Sequence, residues 1–576
     1  MGVHYTPPWL ARFVAERILR NRDGQSASDL RVLDPACGDG LLLEALLACL
    51  AEADIACAEA CGVETDDQAL AKARDRLQCF ELPTCSLVHG DFLELSTEGK
   101  GQREMWDSGR QRDEFRKAFD IVIANPPYVR TQVLGSERAQ RLAARFRLSG
   151  RVDLYHAFLV AATEVLRPGG LIGIITSNRF LITDGGKAIR GFLAGQYEIC
   201  EVIDLGDTRI FEAAVLPAIF IGRRRTADSR SPVGPDPRFL RIYSESNVTG
   251  QQAATPSSSL RSVLSRGEPG RFRIPEGVFE LATGNLVLGK DPRQVWSLTT
   301  DQEEEWLHRV RRGSCGVFND IAVVRVGIKT TADNVFIRSD WNALPPALQP
   351  ERELLRPLLR HENARRWALP LDRPTAFRVL YPHEVSGGRR RAVALERYPK
   401  ARAYLESNRA RLERRHYVIE AGRNWFEIWV PQDPDAWAAP KIVFPDISPE
   451  PRFCVDLDGQ VVNGDCYWIT LRPRAPEDAL YLLLAVANST LMSRFHDLAF
   501  NNRLYSGRRR YITQYVAKYP YPALGHPASK ELVRLIKGLV THRSASPGLF
   551  DTSKIDAQVD GLVERAFRLT SDEGTG

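Results

Sequence analysis

Over its first 225 residues the chain alternates short apolar runs with longer stretches whose apolar positions recur every three or four residues. The first pattern reads as strands buried on both faces, the second as helices laying one apolar stripe on a sheet. Strands are predicted at 31–34, 60–64, 86–89, 120–124, 170–176, 201–205 and 217–223. Helices are predicted at 8–20, 41–53, 68–77, 154–166 and 186–195. This alternation predicts an α/β fold, a parallel sheet covered by helices. The last two strands leave no room for a crossover helix, so the final one is expected to run antiparallel. Residues 97–117 are polar and charged and read as a surface insertion. Residues 226–237 and 248–259 are rich in Ser, Pro, Gly, Thr and Gln and read as linkers. One domain is therefore expected over 1–240 and a second over 241–576. The second mixes strand-like and helical pieces, with long helices expected at 401–415 and 476–498.

Polar residues stand where the early strands end. Asp34-Pro35-Ala36-Cys37-Gly38-Asp39-Gly40 carries the first strand into a helix through a glycine-bearing turn. Such a turn lets the backbone approach a ligand and presents free helix amides. The three spaced glycines of a pyrophosphate loop are missing from it. Glu64 ends the second strand, where a carboxylate can accept both hydroxyls of a ribose. Asp91 and Phe92 follow the third, where a carboxylate can take the exocyclic amine of an adenine ring. Each alone reads as a solvated turn residue; in register, past the carboxyl ends of adjacent strands, they read as a ligand site. The fourth strand runs into Asn125-Pro126-Pro127-Tyr128. Two prolines make a stiff turn with no amide donors of their own. An amino group bonded to the Asn125 side-chain oxygen and the Pro126 carbonyl would be drawn towards tetrahedral geometry. Its lone pair would then point at an incoming methyl group, and Tyr128 offers a face for a base.

In this order the motifs resemble the adenine-specific DNA methyltransferases of the TaqI-like group, over nearly the whole chain. The resemblance implies a Rossmann-like sheet that binds S-adenosylmethionine, followed by a C-terminal α+β target-recognition domain. It implies that Thr6, in Tyr5-Thr6-Pro7-Pro8, contacts the cofactor. Asp34, Ala36, Gly38 and Gly40 would line its methionine end, Glu64 its ribose, and Asp91, Phe92 and Pro127 its adenine. Asn125, Pro126 and Tyr128 would carry the transfer, and Phe211 would stack on the target base opposite Tyr128. A core aromatic between two strands is the other reading of Phe211. Residues 153–155 and 168–170 follow the family order, as do the looser motifs at 327–331 with Phe336, 354–367, 441–443 and 487–489. The implied reaction moves a methyl group to the N6 amino group of an adenine flipped out of duplex DNA. It needs no metal. Double-stranded DNA would be one partner, and a cognate restriction endonuclease acting on the same site another.

Composition adds limits. At 576 residues the chain is too long for one ordinary core. Its longest apolar run, 479–487, falls far short of the roughly 20 residues that span a bilayer. The start of the chain shows no secretory signal, and the residues before Tyr5 leave no room for a nuclease domain. Ten scattered cysteines with no CxxC pair read as reduced thiols in a cytoplasmic protein. The net charge of +6 is unevenly spread: residues 351–415 hold 17 Lys and Arg against 8 Asp and Glu. Residues 501–520 hold five basic side chains and no acidic one, interleaved with Tyr505, Tyr511, Tyr515 and Tyr519. Both stretches read as phosphate-binding surface in the second half. That half argues against a protein glutamine methyltransferase, which shares the Asn-Pro-Pro-Tyr chemistry. A bifunctional restriction–methylation enzyme would need an acidic metal cluster with a lysine, and none is evident. A non-catalytic specificity subunit would have no use for an intact cofactor loop.

Overall fold

The computed structural model describes residues 6–22, 30–95, 119–127, 136–146, 154–211, 216–226, 237–245, 254–289, 291–369, 376–500, 504, 507–545 and 552–569. The predicted insertion at 97–117 lies outside them. The chain forms two compact units, Met1–Glu304 with Arg503–Gly507, and Glu305–Asn502 with Arg508–Gly576.

The first unit is built on an 11-stranded sheet. Its first seven strands are β1 (Leu30–Asp34), β2 (Cys57–Glu64), β3 (Thr84–His89), β4 (Phe119–Ala124), β5 (Leu166–Ser177), β6 (Tyr197–Asp204) and β7 (Pro217–Arg224). They lie in the order β3-β2-β1-β4-β5-β7-β6. β1 to β5 pair in parallel, and β7 runs antiparallel to both neighbours, as its short connection requires. The helices are α1 (Pro8–Arg20), α2 (Leu41–Glu52), α3 (Asp67–Leu77), α4 (Phe92–Leu95), α5 (Ser136–Arg145) and α6 (Leu154–Val165). Successive β4 side chains serve opposite faces: Ile121 and Ile123 join the core with α1 and α2, Val122 and Ala124 the core with α6. Burial on both faces is why these strands read as unbroken apolar runs.

The sheet does not end at residue 240. β8 (Arg238–Ser244) pairs in parallel with β6, and β9 (Thr255–Pro256), β10 (Gly270–Ile274) and β11 (Gly277–Asn285) extend it in the order β8-β11-β10-β9. The expected boundary near 240 thus falls inside a strand, and the compact unit continues to Glu304. The edge of β6 finds its hydrogen-bond partners in β8, so the strand cannot belong to another domain. Part of the expected linker at 248–259 is structured: Thr255–Pro256 pairs with β10.

The second unit holds a five-stranded sheet with spatial order Ala322–Val326, Cys466–Leu471, Lys441–Pro445, Cys454–Asp456 and Trp367–Ala368. A four-stranded sheet and several helices complete an α+β arrangement. The long helices expected there are each broken. The first divides into Pro399–Ser407 and Arg409–Glu413, where the Asn408 side chain donates to the Tyr404 carbonyl at 3.0 Å. The second divides into Asp478–Asn488 and Thr490–Phe500. Ser489 between them is extended, with ψ 154°, and its Oγ accepts from Met492 N at 3.1 Å as a helix cap does. The fully buried Asn488 side chain bonds both backbone groups of Phe453.

The described tyrosines of 501–520 are core residues. Tyr511, Tyr515 and Tyr519 are all buried, and the Tyr519 hydroxyl lies 2.7 Å from His496 Nδ1. Arg509 makes two 2.7 Å bonds to Asp497, and Arg510 pairs with Asp446. The expected aromatic platform is not formed by these three; Tyr505 lies outside the described residues. Among the described residues no helix is long and apolar enough to cross a membrane.

Candidate active site

The carboxyl ends of β1, β2 and β4 and the start of α4 carry the site. Asp34 closes β1 and is fully buried; its Oδ1 accepts from Ala36 N at 3.0 Å, while Oδ2 is buried with no hydrogen-bond partner. Burial pushes this carboxyl up to about 8; the Ala36 amide opposes the shift, and the charges of Glu64 and Asp39 reinforce it. Gly38 sits at φ +53°, and no atom lies within 4 Å of where its Cβ would be, so the turn keeps one open side. Glu64 ties this turn to the end of β2. Its Oε2 accepts from Gly38 N at 3.0 Å, and its Oε1 from Thr65 N at 2.7 Å and Asp66 N at 3.0 Å. A ribose held by Glu64 would have to replace part of that set.

Asp91 Oδ1 accepts from Leu93 N at 2.9 Å and so caps α4. The Phe92 ring is 1% exposed and stacks on Phe158 with centroids 5.9 Å apart. That ring is core, which leaves the Phe92 backbone as its means of touching a cofactor. Asn125 is half-buried, and its Nδ2 donates to Thr6 Oγ1 at 3.0 Å. Pro126 is buried and Pro127 half-buried; Tyr128 lies outside the described residues. Thr6 stands just ahead of α1, where the Pro7 carbonyl accepts from Leu10 N and Ala11 N.

Phe211 is 5% exposed and belongs to the core that also holds the α1 and α2 side chains. The segment before it is pinned by a network that the sequence reading missed. Asp204, at the end of β6, accepts from Gly206 N at 3.0 Å, Asn178 Nδ2 at 3.1 Å and the Tyr243 hydroxyl at 2.7 Å. Asp207 accepts from Ser244 N at 2.7 Å. Gly206, at φ +50°, lies so close to β8 that a Cβ would meet the Ile242 carbonyl at 2.3 Å. The signal was there: Asn178 and Asp204 are polar residues closing apolar strands, as Asp34 and Asn125 are.

The donor set suits S-adenosylmethionine. The buried Asp34 oxygen without a partner could face a cationic ligand, a neighbouring carboxylate can take a diol, and the Gly38 turn leaves room for a chain to pass. A cation beside Asp34 would favour its ionised form. Among the described residues, no group of three or more His, Cys, Asp or Glu could hold a metal. This strand order, with an antiparallel seventh strand and a glycine turn after β1, defines an S-adenosylmethionine-dependent methyltransferase.

Comparison with known proteins narrows the class. The family described as Eco57I restriction-modification methylase matches residues 60–211. The type II methyltransferase M.BanIII of Aneurinibacillus aneurinilyticus is 41% identical over 569 residues, 98% of this chain and 97% of that protein. The adenine-specific methyltransferase PglX of Streptomyces coelicolor is 26% identical over 423 residues, 69% of this chain and 32% of that protein. The solved structure of a nuclease-deletion mutant of the type ISP restriction-modification enzyme LlaGI, with a DNA substrate mimic, matches with a TM-score of 0.51. That match has 12% identity and covers 94% of this chain and 54% of the other. The chain belongs to the type II restriction-modification DNA methyltransferases, and its cofactor is S-adenosylmethionine.

Proposed function

We propose that the protein methylates the N6 amino group of an adenine flipped out of duplex DNA, as the modification half of a cytoplasmic restriction-modification system. The observation that carries this reading is the Asn125-Pro126-Pro127 turn at the end of β4, with the Asn125 amide held by Thr6. Bound S-adenosylmethionine supplies a methyl group already activated on a sulfonium, so the protein's contribution is position and polarity. Asn125 Oδ1 and the Pro126 carbonyl take the two N–H groups of the target amine and hold its lone pair towards the methyl group. Thr6, Asp34, Ala36, Gly38, Gly40, Glu64, Asp91, the Phe92 backbone and Pro127 hold the cofactor. Tyr128 stacks on the base, offsetting part of the few kcal/mol that flipping costs. An Asn at the head of the tetrapeptide favours adenine over cytosine, and the adenine-specific relative PglX supports that choice.

The second unit supplies DNA recognition. Arg389, Arg390 and Arg391 are exposed on a hairpin whose tip is Gly387-Gly388, and a two-stranded ribbon of this kind fits a major groove. A restriction endonuclease of the same specificity is the further partner this reading implies.

Digesting modified DNA to nucleosides tests the proposal. N6-methyladenine is the expected product; methyl on cytosine alone, or on a protein glutamine and not on DNA, would overturn it.

Phe211 has two roles open to it, and its burial in the core shared with α1 and α2 supports the core one. Phe211→Ala is therefore expected to melt several degrees lower while its folded fraction transfers methyl at the normal rate. Normal melting with slow transfer, and an altered signal from 2-aminopurine at the target position, would restore the stacking role.

A further inference from the structure

We infer that Thr6 is a positioning residue for the transfer: its hydroxyl sets which way the Asn125 amide points. The inference rests on Asn125 accepting the target amine. A side-chain amide presents a donor edge and an acceptor edge of nearly the same shape, and only the acceptor edge serves the proposed chemistry. With Nδ2 donating to Thr6 Oγ1 at 3.0 Å, the carbonyl oxygen lies on the opposite edge of the planar group.

A hydroxyl carries one proton and two lone pairs, so Thr6 could also have donated to an amide turned the other way round. An anionic acceptor removes that choice. If the cofactor's carboxylate takes the Thr6 proton, only lone pairs remain for Asn125, and the amide is locked with its oxygen on the edge away from Thr6. Cofactor binding would thereby prepare the target site before any base arrives. The scaffold for such a lock is stiff. Thr6 is 9% exposed and is followed by two prolines, the second at the first position of α1. α1 in turn buries Leu10, Ala11, Phe13, Val14, Ala15 and Ile18 and packs on α2 and β5.

Thr6→Val keeps the shape and removes the hydroxyl, Thr6→Ala guards against a misfit of that variant, and Thr6→Ser restores the hydroxyl. At saturating cofactor, kcat is expected to fall about tenfold in the first two, the rate equivalent of one net hydrogen bond, and to recover in the third. A second readout needs no turnover. S-adenosylhomocysteine, which has the same carboxylate, should tighten binding of the target duplex to the wild type and fail to do so with Thr6→Val. A rise in cofactor KM with kcat intact, or an unchanged gain in duplex affinity, would overturn the inference and leave Thr6 a plain cofactor contact. Asn125→Ala, measured alongside, separates the two ideas. If it transfers normally, the reading of Asn125 itself fails; if it is inactive while Thr6→Val is normal, only the role of Thr6 falls.

Discussion

Asn125→Ala is expected to lower kcat by about 10²–10³-fold or more while the affinity for S-adenosylmethionine stays within about twofold. The loss is large because the side-chain oxygen acts on the target amine as its nitrogen changes geometry, an interaction stronger in the transition state than before it. The effect on the cofactor is small because Asp34, Glu64 and Asp91 hang on β1, β2 and the turn before α4, and none of their hydrogen bonds described above uses the Asn125 side chain. The fold should tolerate the change, since Asn125 is only half-buried. Single-turnover transfer of a labelled methyl group, with cofactor binding titrated separately, measures both quantities. A rate within tenfold of the wild type, or a parallel collapse of cofactor binding, would remove Asn125 from the transfer step.

The largest stability effect is expected in the second unit. Lys441 and Asp456 are both fully buried, with Nζ 2.6 Å from Oδ2. Lys441 also donates to the Trp437 carbonyl at 2.8 Å, and Asp456 accepts from the amides of Asp458 and Gln460. Replacing such a pair by apolar residues can be neutral, but removing one member strands a charge out of water and costs about 3–5 kcal/mol. Lys441→Met is therefore expected to lower the unfolding free energy by that amount, measured by denaturant titration, and Lys441→Met with Asp456→Leu to recover most of it. A single variant within about 1 kcal/mol of the wild type would show that water reaches the pair. The pair also explains why a lysine can open the strand at 441–443, an otherwise apolar run.

Much of the catalytic sheet was legible because parallel strands buried on both faces leave a plain mark, and all seven predicted strands are found within a few residues of their expected bounds. The same contrast singled out the candidate site residues at strand ends: a polar residue that closes an apolar run has few structural uses. Phe92 shows the limit, since the side chain next to the candidate carboxylate Asp91 packs inward on Phe158. The boundary near 240 was misplaced because polar composition marks exposed loops, and β8 between two such stretches is held by pairing with β6, which composition does not record. Tyr511, Tyr515 and Tyr519 were read as a nucleic-acid surface, yet all three are buried, packed about His496, a contact distant in sequence that local composition does not record. Helix breaks at Asn408 and Ser489 depended on side chains bonding their own backbone, a competition that apolar periodicity does not show.

The late strand β8 bears on how specificities can be exchanged within this family. A chimaera joined in the polar stretches around residue 240 would take β6 from one parent and β8, with Tyr243 and Ser244, from the other. The graft would then inherit a mismatched clamp on Asp204 and Asp207, and the donor's second unit would be blamed for a fault in the recipient's own sheet. Crossovers placed after Glu304 keep sheet and clamp together, from one parent.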